Sequence, residues 1–196
     1  MTAIIVVQGK HREKPYAIWR NSDTDIWACE DFATLTHYDG TSWTKHDIGK
    51  KVVIRCIWGS SSSDIWACGS NGTVLHYDGT SWKEHHFDNQ RSGLYLIWGS
   101  SSNDIWIGGF STLLHYDGTS WTKHDIGENT HIRAIWGNSS NDIWARVLYV
   151  SVPEPLQFSK ADKGFKIMIN EGKEALLHYD GTTWTKHDPF DIDCTS

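Results

Sequence analysis

Residues 57–82 read IWGSSSSDIWACGSNGTVLHYDGTSW, and the same text returns three more times along the chain. Ile-Trp-Gly-Ser at Ile57 recurs at Ile97 and, as Ile-Trp-Gly-Asn, at Ile135; Ile18 opens a worn copy, Ile-Trp-Arg-Asn. His-Tyr-Asp-Gly-Thr-Ser-Trp at His76–Trp82 recurs at His37–Trp43 and His115–Trp121, and at His178–Trp184 with Thr183 in place of Ser. Trp19, Trp58, Trp98 and Trp136 stand 39, 40 and 38 residues apart, so the unit is about 39 residues long. Within a unit the apolar period is two, broken by Gly, Asn, Asp and Ser, which is the punctuation of strands. Val52–Trp58, Ile65–Cys68, Thr73–Tyr77 and Ser81–His85 read as four strands, with Asn71-Gly72 and Asp78-Gly79 supplying the positive φ of tight hairpins. Four short strands per unit in tandem predict an all-β chain, a β-propeller of four blades. The ring closes on four blades, or the chain is a half or fragment of a larger ring.

The repeat also accounts for the composition. All 12 Trp of the 196 residues fall at three unit positions: Trp19, Trp58, Trp98, Trp136; Trp27, Trp66, Trp106, Trp144; and Trp43, Trp82, Trp121, Trp184. A flat ring copied onto successive sheets is expected to form core between blades, each burying about 150–250 Å². The net charge of −6 and the lack of a Lys/Arg cluster argue against nucleic acid. No apolar run approaches the roughly 18–20 residues of a membrane span, and none has the form of an export signal. A cytoplasmic location is the default expectation. Cys29, Cys56, Cys68 and Cys194 fall at no metal-ligand spacing and read as buried thiols.

These units resemble Trp-rich bacterial propeller repeats of the form IWGSSxxDIWAxGxxGTxLHYDGTSW, which are similar in turn to kelch-type, photosystem-assembly-factor-type and Asp-box repeats. The resemblance covers residues 16–188 and implies fold more than function, because such propellers scaffold unrelated proteins. An Asp-box proper places Trp five residues after Asp, whereas Asp78 and Trp82 are four apart. A sialidase site would require an arginine clamp and a Tyr nucleophile. Tyr38, Tyr77, Tyr116 and Tyr179 are instead copied in every unit, as packing residues are.

Candidate sites are weighed against the same repetition. His37, His76, His115 and His178, with His46, His85, His124 and His187, recur once per blade and so should lie apart, not converge on a metal. The second set belongs on the outermost strand. Asp25, Asp64, Asp104 and Asp142 are expected to cap the Ser-rich turns through backbone N–H groups, and Asp39, Asp78, Asp117 and Asp180 to shape the Asp-Gly turns. No metal and no cofactor is expected.

What is not copied is more informative. Units one, two and three run over residues 15–48, 52–87 and 92–127, and the fourth over 131–188. From Trp144 to His178 is 34 residues, against 10, 10 and 9 in the first three units, so about 24 residues are inserted within 146–175. Long unrepeated insertions on rigid scaffolds often carry function. Tyr149, Phe158, Phe165 and Lys166 are therefore the candidate ligand-binding residues. Residues 1–10 hold an extra strand, Ala3–Val7, matching the fourth strand of a preceding blade. The chain as a whole reads as one domain, 1–196, acting as a non-enzymatic scaffold for a protein or carbohydrate ligand, with a homodimer as one way to complete the ring. The alternatives are a glycan-active hydrolase or lyase at the axis, and a truncated repeat protein without independent function.

Overall fold

The computed structural model describes residues 5–6, 17–31, 34–49, 52–87, 93–150, 158–161, 164–167 and 172–188. The first sheet holds β1 (Ile5–Val6), β2 (Ala17–Ser22), β3 (Asp25–Asp31), β4 (Thr34–Tyr38) and β5 (Trp43–Asp47), paired in that order. The second runs β6 (Ile54–Ser61), β7 (Asp64–Gly69), β8 (Val74–Tyr77), β9 (Trp82–His85). The third runs β10 (Leu94–Ser101), β11 (Asp104–Gly109), β12 (Leu113–Tyr116), β13 (Trp121–His124). In the fourth, β14 (Thr130–Ser139) and β15 (Asp142–Tyr149) are followed by β18 (Lys173–Tyr179) and β19 (Trp184–His187). Between β15 and β18, β16 (Phe158–Ala161) and β17 (Gly164–Ile167) form a separate two-stranded sheet. All pairings are antiparallel, so each unit is a meander, the all-β propeller blade its spacing predicts.

The turns follow their sequences. Gly40, Gly79, Gly118 and Gly181 sit at φ +93°, +87°, +91° and +95°, and a Cβ on any of them would come within 2.7–2.8 Å of the first hairpin of the same blade. Asn71 and Gly72 both take positive φ, 57° and 68°, within a single 3₁₀ turn, Ser70–Gly72. Register places Trp19 against Trp27, Trp58 against Trp66, Trp98 against Trp106 and Trp136 against Trp144. Each sheet thus carries its first- and second-position Trp in one row on one face, while the Tyr38–Trp43 pair and its equivalents lie in the adjacent row on the other face.

Three apolar clusters join the sheets in series. The first lies between sheets one and two around Trp19, Trp27, Ile57 and Ile65; the second between two and three around Trp58, Trp66, Ile97 and Ile105; the third between three and four around Trp106, Ile143 and Leu177. The first strands meet as β2 with β6, β6 with β10 and β10 with β14. Among the described residues no comparable packing joins the first sheet to the fourth. Among the described residues the blades therefore form an arc whose first and fourth sheets each have one face without a neighbouring sheet.

Two expectations are corrected. Cys56 and Cys68 are not free thiols: they lie opposite each other on β6 and β7, Cα atoms 5.3 Å apart, and form a disulfide, while Cys29 is a buried thiol. Residues 146–149 and 173–175, assigned to the insertion by counting, belong to the blade, because the β15–β18 ladder runs on to Tyr149 opposite Lys173. The extra N-terminal strand, described at Ile5–Val6, adds to the edge of the first sheet by pairing with β2. Cys194 lies outside the described residues. No helix among the described residues is long and apolar enough to cross a membrane.

Candidate functional site

The copied polar residues build one network per blade. In the third, Asp104 Oδ1 accepts from His115 Nε2 at 2.8 Å and from Trp106 Nε1 at 3.0 Å, and its Oδ2 accepts from Ser100. The His115 ring stacks on Trp106 with centroids 4.1 Å apart. His37, His76 and His178 reach Asp25, Asp64 and Asp142 at 2.8, 2.6 and 2.9 Å, with Asn21, Ser60 and Asn138 on the second carboxylate oxygen. These aspartates thus bind side chains, a correction to the expected backbone capping of the turn. Burial pushes the Asp64 and Asp104 carboxyls up, but the histidine and serine donors outweigh it and hold both below the ordinary aspartate value.

The Asp-Gly turns match their expected role. Asp117 Oδ1 accepts from Thr119 N, Thr119 Oγ1 and Ser120 N at 2.7–2.8 Å, and Asp39, Asp78 and Asp180 repeat the pattern. Those hydrogen bonds to the carboxylate, from Ser120 and Thr119 first, keep the Asp117 carboxyl well below the usual range. Tyr116 Oη donates to Gly118 O at 2.8 Å, tying the strand end to the turn.

Across each junction the second-position Trp receives the next blade's edge. Trp27 meets Tyr77 and Trp82, Trp66 meets Tyr116 and Trp121, and Trp106 meets Tyr179 and Trp184, at centroid distances of 5.1–5.8 Å. Trp121 Nε1 also donates to His85 Nδ1 at 3.2 Å. The first-position rings lie over a glycine: a Cβ on Gly59, Gly99 or Gly137 would come within 2.9–3.0 Å of Trp19, Trp58 or Trp98. The expected inter-blade role holds for these rings and fails at the two ends, where Trp43 is 53% and Trp136 is 43% exposed. His46, His85, His124 and His187 lie on the sheet-edge strands β5, β9, β13 and β19. Among the described residues no three His, Cys, Asp or Glu side chains converge as a metal site.

The candidate binding residues divide between two elements. Tyr149 closes β15, packs against the third cluster, and has the Lys186 ammonium 4.3 Å from its ring centroid. Phe158, Phe165 and Lys166 lie on the separate hairpin, where Phe158 pairs with Ile167, Lys160 with Phe165 and Ser159 with Lys166; their side chains fall outside the described residues. The two uncovered blade faces were not singled out by sequence, because residues there are copies of those buried elsewhere. The signal that could have found them is the departure from the repeat at Arg20 and Arg146, where other units have Gly and Cys or Gly.

No protein-family model matches the chain and no curated protein matches it. Among solved structures it is similar to the extracellular domain of BT4673 from B. thetaiotaomicron, described as a one-component system, at 13% identity and TM-score 0.51 over 84% of this chain and 26% of that one. It is also similar to YCF48 bound to D1 peptide, at 16% identity and TM-score 0.49 over 87% of this chain and 67% of that one. YCF48 from Cyanidioschyzon merolae shows 11% identity and TM-score 0.47, covering 86% and 70% respectively. The chain thus spans about a quarter of the BT4673 domain. That likeness supports the propeller fold and, at such identity, extends no further.

Proposed function

We propose that the protein is a non-enzymatic binding scaffold of the Trp-rich propeller-repeat group its units resemble, with a protein segment as ligand and the hairpin β16–β17 as recognition element. The observation that carries this reading is that, among the described residues, β16 and β17 pair with each other and with no other strand, set between two strands of a blade whose ladder is complete without them. An isolated two-stranded hairpin is marginally stable in water, and its open edges suit addition of an extended peptide strand. The copied aromatic and histidine positions are occupied by packing, which supports assigning recognition to what is unrepeated: Tyr149, Phe158, Phe165 and Lys166. The Cys56–Cys68 disulfide favours an oxidising compartment over the cytoplasmic default.

Replacing residues 151–171 by the short turn that joins the second and third strands of the third blade tests the proposal. The variant is expected to keep the circular-dichroism spectrum and melting temperature of the parent and to lose the protein bound in pull-downs, as are Phe158→Ala and Phe165→Ala. Unchanged capture by all three would sink it. A glycan array run beside the pull-down decides the ligand class: binding to glycans alone replaces the peptide reading with a carbohydrate one.

A further inference from the structure

The three junctions inside the chain are one interface built three times, and each end of the arc carries half of it. On the fourth blade, Trp144 stacks on His178 at 4.2 Å as its equivalents do, yet has no next-blade Tyr and Trp against it among the described residues. His187 holds the place of His46, His85 and His124, whose rings lie 5.7–6.4 Å from the Trp of the following blade, and among the described residues it has no such Trp. On the first blade the matching half is the Tyr38–Trp43 pair, rings 5.2 Å apart, with Trp43 more than half exposed.

We infer that the fourth blade's face docks on the first blade of a second copy of this chain, with the Trp43 ring against Trp144 and His187 as Trp121 lies against Trp66 and His85. The occupant follows from the internal junctions, which show what covers such a face: a blade presenting Tyr and Trp at these two positions. Among the described residues the chain's own first blade is not packed there, which leaves the half-interface open to another copy. Heterologous head-to-tail contacts close into rings or run on as filaments. Two copies supply eight blades, within the usual range of about four to eight for propellers. The junction between copies differs from the internal ones at two points: Arg146, paired with Glu174, stands where the internal faces have Cys29, Cys68 and Gly108, and Arg20 replaces a glycine. Arg20 stands where Gly59, Gly99 and Gly137 make room for an indole, so the exposed Trp136 ring meets a guanidinium instead of a bare backbone. A guanidinium on an indole face is itself attractive.

This inference does not rest on the hairpin, so the two can fail separately. Light scattering of the full chain across a hundredfold concentration range is expected to give the mass of two copies, for the parent and for the 151–171 replacement alike. Trp43→Ala and His187→Ala should each lower the association at least tenfold while leaving circular dichroism unchanged. Mixing these two variants should restore pairs, since one junction is then intact. A single-copy mass throughout would overturn the docking. So would a parent of single-copy mass whose Arg20→Gly variant pairs, because Arg20 would then be an end cap. A ladder of masses lengthening with concentration would overturn the closed pair.

Discussion

Trp66 shows how one residue type serves two contacts at once: its ring stacks on His76 at 4.0 Å within the blade and takes the edge of Trp121 from the next at 5.7 Å. Trp66→Ala should therefore cost about 3–5 kcal/mol in denaturant melts, whereas Tyr116→Phe, losing only the hydroxyl bond to Gly118, should cost about 1 kcal/mol. Equal losses would contradict the burial difference. The histidines beside these rings set an acid limit. Burial first, and then the neighbouring His37, His76 and His115, lower the pKa of His46, His85 and His124; His86 adds to the effect at His85. The unfolded chain thus binds these protons more readily than the folded one. Stability is expected to be full above about pH 6.5, the ordinary histidine value, and to fall as pH drops through it, flattening below the folded pKa values. Protonation of His85 at Nδ1 also forfeits the bond from Trp121. Urea midpoints between pH 8 and pH 5 check this, and a flat profile would contradict the buried-histidine geometry.

At the scale of the element, each blade is a meander whose strands are too short to stand alone and are tied across their hairpins. The second blade has the additional Cys56–Cys68 link between β6 and β7, with a sequence separation of 12. Closing a loop of that size contributes about 2–3 kcal/mol through the unfolded chain. Reduction should lower the denaturant midpoint accordingly, and the Cys56→Ala/Cys68→Ala pair should then be insensitive to reductant. Thiol labelling of protein unfolded straight from its source cell reports the compartment: two thiols fewer than the four cysteines mark an oxidising one. The spacing of turns made the meander legible from sequence. The cross-strand position of Cys56 and Cys68 was equally legible from register, but bond formation depends on Cα separation and facing Cβ vectors, which only the folded strands supply.

For the whole molecule, three clusters in series mean that stability passes from blade to blade instead of radiating from one centre. The middle sheets have a neighbour on both faces and the end sheets on one. Amide exchange is therefore expected to be slowest in β7 and β11 and faster in β3 and β15. Filling one junction should weaken it alone: Gly99→Val places a Cβ within 2.9 Å of Trp58, Ile105 and Asp104, an overpacking of about 1–3 kcal/mol. Exchange would then rise most in the second and third sheets, and a uniform rise would argue against serial packing.

The blade is legible in the residues alone, because hairpin turns and period-two alternation are local physics that every copy restates. The same residues show that twelve Trp report architecture, since a residue repeated at fixed spacing is placed by packing. Which copies are buried is settled by the packing of one sheet on the next. Trp27 and Trp144 have the same neighbours in sequence, Asp-Ile before and Ala after, yet the first is covered by Tyr77 and Trp82 and the second, among the described residues, has no such pair against it. Burial belongs to the sheet that follows in space, and the last sheet of an arc has none.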